Sequence, residues 1–270
     1  MPTIEHADSG EGLEEHVQTE DALMSEEHGK TDRNLFEMLL TPTAWLFAWT
    51  AMILVGGGTI VTNNMGQMVE ALHFSRAVTP ASLALFSVAQ AGARVITGAA
   101  SEWAMSRNIA RPAFLILGSV AGVASHSLLA VATSEEPFVV GVALSGAAFG
   151  MIWPLMVLIV GEVFGTAHVG ANYLFYDGFS SAIGTLLLSK FVAQSVYESH
   201  IDYSGEHSDG LTCYGQACFR MSHMIVAGLS LTCVLSSVLV LRTTRQSYGD
   251  NAYAYEPVIT SEEGKYDSIL

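Results

Sequence analysis

The sequence predicts an all-α membrane protein, with six transmembrane helices in a three-plus-three repeat between two acidic tails. Three observations predict it. Half of the 270 residues are apolar and only 14% are charged, against about a quarter charged in a soluble domain. The apolar residues gather into six long runs, each near the roughly 20 residues that cross a hydrocarbon core of about 30 Å. The net charge of −15 lies mostly outside those runs. Residues 1–42 hold eleven acids and two bases, and residues 243–270 hold five acids and two bases.

The spans are read in order as 43–63, 80–102, 112–133, 137–160, 169–196 and 222–242. The fifth is the weakest by composition, because it contains Asp177 and Lys190. The flanking stretches 1–42 and 243–270 lack apolar content and read as solvated, disordered tails. The acidic start has no early apolar run and so no signal-peptide pattern. The first span would then direct insertion.

An even number of spans places both tails on one side. That side carries Lys30, Arg33, Arg107, Arg111, Arg242, Arg245 and Lys265, whereas the opposite loops carry only Arg76 and Arg220. The positive-inside rule therefore puts both termini in the cytoplasm. It does not distinguish a plasma membrane from a vacuolar-type one.

Several function classes are excluded by pattern. No basic stripe exists for nucleic acid. No phosphate-binding Walker loop, HExxH helix or nucleophile elbow appears, so an enzyme is not expected and no cofactor is implied. The expected surroundings are a lipid bilayer and a small solute.

The repeat is visible in residue types. The first and fourth spans are Gly-rich, with Gly56, Gly57 and Gly58 in one and Gly146 and Gly150 in the other. The second and fifth carry Arg94 and Asp177, while the interiors of the third and sixth carry no Asp, Glu, Lys or Arg. Nested three-helix repeats occur in secondary transporters.

Residues 45–67, WLFAWTAMILVGGGTIVTNNMGQ, resemble the opening of the C-terminal half of nodulin-like, nuclear-fusion-defective-type transporters of the major facilitator superfamily. The resemblance continues through Arg94-Val95-Ile96-Thr97-Gly98 with Glu102, Gly150-Met151-Ile152-Trp153-Pro154-Leu155 and Gly161-Glu162-Val163-Phe164-Gly165. It ends at Cys213-x4-Cys218-Phe219-Arg220. It implies one six-helix half of such a fold, working by alternating access. Usual members carry another six-helix half first. A second half would come from a homodimer, from a partner chain, or from a longer gene of which this is a fragment. A non-transporting scaffold or regulator that pairs with full-length carriers is the alternative.

Candidate residues follow. Asn63, Asn64 and Gln67 cluster at the end of the first span and offer donors and acceptors to a polar solute. Helix-to-helix hydrogen bonding would use the same atoms. Tyr173 and Asp177 share a helix face at a spacing of four, and an intramembrane acid is a candidate for proton coupling. Trp153 lines the cavity or packs beside Pro154. The resemblance suggests a charged gating latch of Arg94, Glu102 and Glu162, for which static pairing is the alternative. Cys213 and Cys218 form a possible disulfide. The neighbouring His200, His207 and His223 match no zinc spacing, so no metal is expected. Tyr255-Glu256-Pro257-Val258 and Tyr266-Asp267-Ser268-Ile269 resemble sorting signals.

Overall fold

A backbone crossing lipid must satisfy its own N–H and C=O groups, and a helix does so within one segment. In a computed structural model, which describes residues 32–201, 212–245 and 248, six helices are long and apolar enough to cross a membrane. They support a multi-pass integral membrane protein. In chain order the helices are α1 (Leu35–Leu39), α2 (Pro42–Asn63), α3 (Met65–Ala71), α4 (Val78–Met105), α5 (Pro112–Val131), α6 (Glu135–Phe164), α7 (Val169–Ser199) and α8 (Ala217–Thr243). The acidic stretches 1–31 and 249–270, with their candidate sorting signals, lie outside the described residues, as does His207.

Several helices run past the apolar runs that predict them. α6 begins with Glu135 and Glu136, acids that favour a helix N-terminus. α4 continues beyond Glu102 to Met105. Within the stretch read as a tail, α1 is fixed by a capping box. Asn34 Oδ1 accepts from Glu37 N–H, and Asn34 N–H donates to the Glu37 carboxylate. α2 then starts with Thr41 as its N-cap and Pro42 in the first turn.

The central element is α2. Its apolar stretch is 78% buried inside the protein, against 11% for α4. It packs against α7, α8, α6 and α5. α4 packs along α6, and α5 lies between α6 and α8. The heaviest of these pairings survive exchange of the first helix triplet with the second, whereas the lighter contact of α2 with α5 has no counterpart between α6 and α8. The contact of α2 with α7 becomes that of α6 with α4. The contact of α5 with α6 becomes that of α8 with α2.

The ends of the bundle are tied separately. At the tail end Arg33 N–H donates to Phe164 O and Thr43 bonds Thr243. At the far end Ser75 N–H donates to Glu135, and Gln216 to Ala130 O. Gly215, at φ +95°, donates its N–H to Ala71 O. Cys213 and Cys218 are bonded to each other across this turn, with Cα atoms 5.9 Å apart.

The α2–α7 crossing depends on two glycines. A Cβ on Gly184 would lie 2.5 Å from Met52 O, and one on Gly56 would lie 2.7 Å from Gly184 O. Both neighbours are backbone and cannot step aside. Gly184→Val is expected to part the helices and cost about 1–3 kcal/mol or more. A lower midpoint of thermal unfolding in detergent checks this, with Gly178→Val as control, since nothing surrounds a Cβ there.

Candidate functional site

Beside this crossing, towards the far end, α2, α3 and α7 border an open cleft of ≈ 650 Å³. Asn63, Asn64 and Gln67 line one wall. The other wall belongs to α7 and includes Thr185, Ser189, Lys190 and Gln194. Three of the predicted substrate residues are thus brought together. Trp153, Tyr173 and Asp177 do not line this cleft.

The polar atoms of the two walls meet at its floor. Asn64 is buried, and its amide nitrogen donates to Ile60 O at 2.8 Å and to Ser189 Oγ at 3.2 Å. Asn63 donates to the same hydroxyl at 3.3 Å. Thr185 bonds Thr59 at 3.2 Å. These bonds pin the asparagine amides and leave their carbonyl oxygens as acceptors. Lys190 supplies a cation at the exposed edge.

The α7 wall is wound as a π-helix over Thr185–Ala193. Such segments are rare in helices and frequent at functional sites. Within this segment Ser189 meets both asparagines and Lys190 lines the cleft. Thr185-Leu186-Leu187-Leu188-Ser189 reads as ordinary apolar helix, so no local signal announces the winding.

The remaining predicted residues gather nearer the tail end. The Arg94 guanidinium lies over the Trp153 ring, 5.1 Å from its centroid, a cation–π contact. The indole N–H of Trp153 has no hydrogen-bond partner among the described residues. Tyr173 sits in the field of both Asp177 and Arg94. Its neighbour Tyr176 is buried and donates to Ala44 O, tying α7 to α2.

Arg94 pairs with neither predicted latch acid. Arg111, immediately before α5, takes both. Its guanidinium donates to Glu102 of α4 and Glu162 of α6, and to Ser101 Oγ at 2.8 Å. The Arg111 side chain is 4% exposed. Burial alone would lower its pKa, but the two carboxylates outweigh burial and raise it. Tyr248 is buried beyond α8. That burial, and then the nearby Glu162 carboxylate, hold its phenol well above the ordinary range. Sequence spacing hid Arg111 because its partners lie 9 and 51 residues away. The available signal was its place in a short loop that returns the chain beside the end of α4. Among the described residues, no cluster of three His, Cys, Asp or Glu side chains could hold a metal ion.

The chain is 25% identical over 198 residues to the Probable transporter MCH1 of Yarrowia lipolytica, covering 69% of this chain and 40% of that protein. It is 24% identical over 221 residues to the protein NUCLEAR FUSION DEFECTIVE 4 of Arabidopsis thaliana, covering 80% and 37%. It has distant homology to nodulin-type transporters. The chain spans about two-fifths of the length of these curated relatives. No family model and no solved structure matches it.

The charge cluster makes a prediction that separates the two arginines. Arg111→Met leaves two partly buried carboxylates facing each other and is expected to cost about 3 kcal/mol. Arg94→Met loses one exposed cation–π contact, about 0.5–1 kcal/mol. Thermal unfolding in detergent ranks them, and equal losses would contradict this assignment. Adding Glu102→Gln and Glu162→Gln to Arg111→Met should recover part of the loss.

Proposed function

We propose that the chain forms a six-helix half of a facilitator-type secondary carrier, which moves a small polar solute by alternating access. The observation that carries this reading is the placement of charge on open helix faces. Arg94 and Lys190 are exposed and Asp177 is half-buried, on the two elements that bury least of their length. In lipid each would cost up to about 2.5–3.5 kcal/mol at mid-bilayer. Those faces of α4 and α7 therefore meet water or protein rather than acyl chains. A water-filled path beside a second six-helix unit, from another copy or a partner chain, answers that requirement.

Two further observations support it. The heaviest helix pairings keep their pattern when the triplets exchange, which is in keeping with a three-plus-three half of this fold. The relatives from Yarrowia lipolytica and Gibberella zeae carry transporter names. On this reading the tails face the cytoplasm and the cleft opens on the opposite side. Asn63, Asn64, Gln67, Ser189 and Lys190 bind the solute there. Tyr173, Asp177 and Trp153 meet it deeper, beside Arg94.

The test is uptake of a panel of polar solutes into vesicles holding the purified chain, alone and with full-length relatives. A solute moved by the wild type should be moved roughly tenfold less by Asn64→Ala and Ser189→Ala, about the effect of one lost hydrogen bond. Wild-type kinetics in both variants would remove the cleft from the mechanism. Failure of every preparation to move any solute would favour the scaffold reading.

A further inference from the structure

Between α2, α5 and α8 lie two imidazoles that the cleft does not use. His126 of α5 and His223 of α8 are both buried. Their rings stack with centroids 5.3 Å apart, and their Nδ1 atoms are 3.1 Å apart. Two nitrogens at that separation hold one hydrogen between them, one donating and one accepting.

The next contact fixes the direction. His223 Nε2 lies 3.2 Å from Met68 Sδ. A thioether has no hydrogen to give, so the sulfur accepts and His223 Nε2 donates. A neutral imidazole carries one N–H, which leaves His223 Nδ1 bare. His126 Nδ1 must then be the donor across the 3.1 Å gap. His126 Nε2 is left as a bare lone pair, by hydrogen-bond logic that assigns the tautomers. This nitrogen faces Gly57, where a Cβ would come within 2.9 Å of it. The glycine keeps the lone pair uncovered.

We infer that His126 and His223 form one buried proton-binding site, with His126 Nε2 as the atom that receives the proton. Uptake makes one N–H bond at that nitrogen and brings one positive charge from water. The Nδ1 hydrogen can then cross to His223. His126 becomes neutral with its hydrogen on Nε2, and the charge rests on His223. Loss of the His223 Nε2 hydrogen completes a relay in which one proton enters and one leaves. At that end a cavity of ≈ 10 Å³ is lined by Met68, Gln216, Arg220 and His223, room for about one water.

The other charged groups on the surrounding elements are few. α2 presents Gly57 and no charge at this level, and α5 has no other ionisable side chain. α3 carries Glu70, which is exposed, and α6 carries Glu135 and Glu136, exposed at its start. Arg220 of α8 is the cation lining the cavity beside His223. Neither Asp177 nor the Arg111 cluster contacts the pair, so the inference stands apart from the carrier reading.

The experiment is ¹⁵N spectroscopy of the histidine-labelled full chain in phosphatidylcholine nanodiscs, titrated from about pH 8 to about pH 4. Two imidazoles coupled through a shared Nδ1 hydrogen are expected, one with a bare Nε2, gaining a single proton as a unit. Two rings that titrate independently, or a pair that gains no proton across the range, would overturn the inference. His223→Gln should abolish the shared hydrogen and leave His126 to titrate alone. Gly57→Ala should suppress uptake while the Nδ1 coupling persists. Unchanged uptake in a folded Gly57→Ala protein would rule out Nε2 as the receiving atom. If either variant fails to fold, the wild-type titration still decides.

Discussion

Two backbone-on-backbone crossings hold the bundle together. Lipid tails are as apolar as leucine, so helices in a bilayer gain little from hiding apolar side chains and rely on close packing. Gly56 and Gly184 bring α2 against α7. Gly146 and Gly150 bring α6 against α4, where added Cβ atoms would lie 2.6 Å from Phe86 O and 2.3 Å from Gln90 O. The two contacts are counterparts under exchange of the triplets. Each pairs a heavily glycine-bearing helix with one that exposes most of its other face. The cleft lies beside the first crossing, where side-chain hydrogen bonds continue the contact of α2 with α7.

The polar groups are distributed by the same logic. Several hydroxyls and amides inside the bundle are paired from one helix to another. Ser119 and Ser237 bond each other, and Ser236 donates to Leu46 O. Ionisable groups are placed differently. They lie at helix ends, as with Glu102, Arg111 and Glu162, or on the open faces of α4 and α7. Among the described Asp, Glu, Lys, Arg and His side chains the imidazole pair is the exception in the interior, and it is tolerable there because two neutral rings satisfy each other without a net charge.

The six spans were legible to within a few residues because hydropathy is set by the bilayer and needs no tertiary information. The extensions of α4, α6 and α8 were not, since an ionisable residue at each boundary, Glu102, Glu135, Glu162 or Arg220, breaks the apolar run before the helix ends. One wall of the cleft was legible. Asn63, Asn64 and Gln67 stand out as amides at the end of an apolar run, whereas Ser189 is one serine among leucines. Its role depends on the π winding and on a contact 125 residues away. Arg94 was conspicuous as a mid-span cation, and that drew the latch acids to it. A Trp ring meets its charge instead, while the cation that takes the acids, Arg111, counted in the sequence only as a loop base that sets orientation.

That reassignment bears on what the charged cluster can do. Arg111, Glu102 and Glu162 come from the end of α4, the α4–α5 loop and the end of α6, all adjacent within one six-helix unit. Rocking of this unit against another would carry the cluster along as a rigid body and leave its bonds intact. On the proposed reading a latch that opens in each cycle would join groups on different units, and these three lie on one. The cluster instead fixes the tail end of α4 to α6, continuing the glycine crossing that joins the same two helices further along. On that reading Arg94 and Asp177 are better placed for a contact that breaks and forms, because they lie on the two helices that bury least of their length.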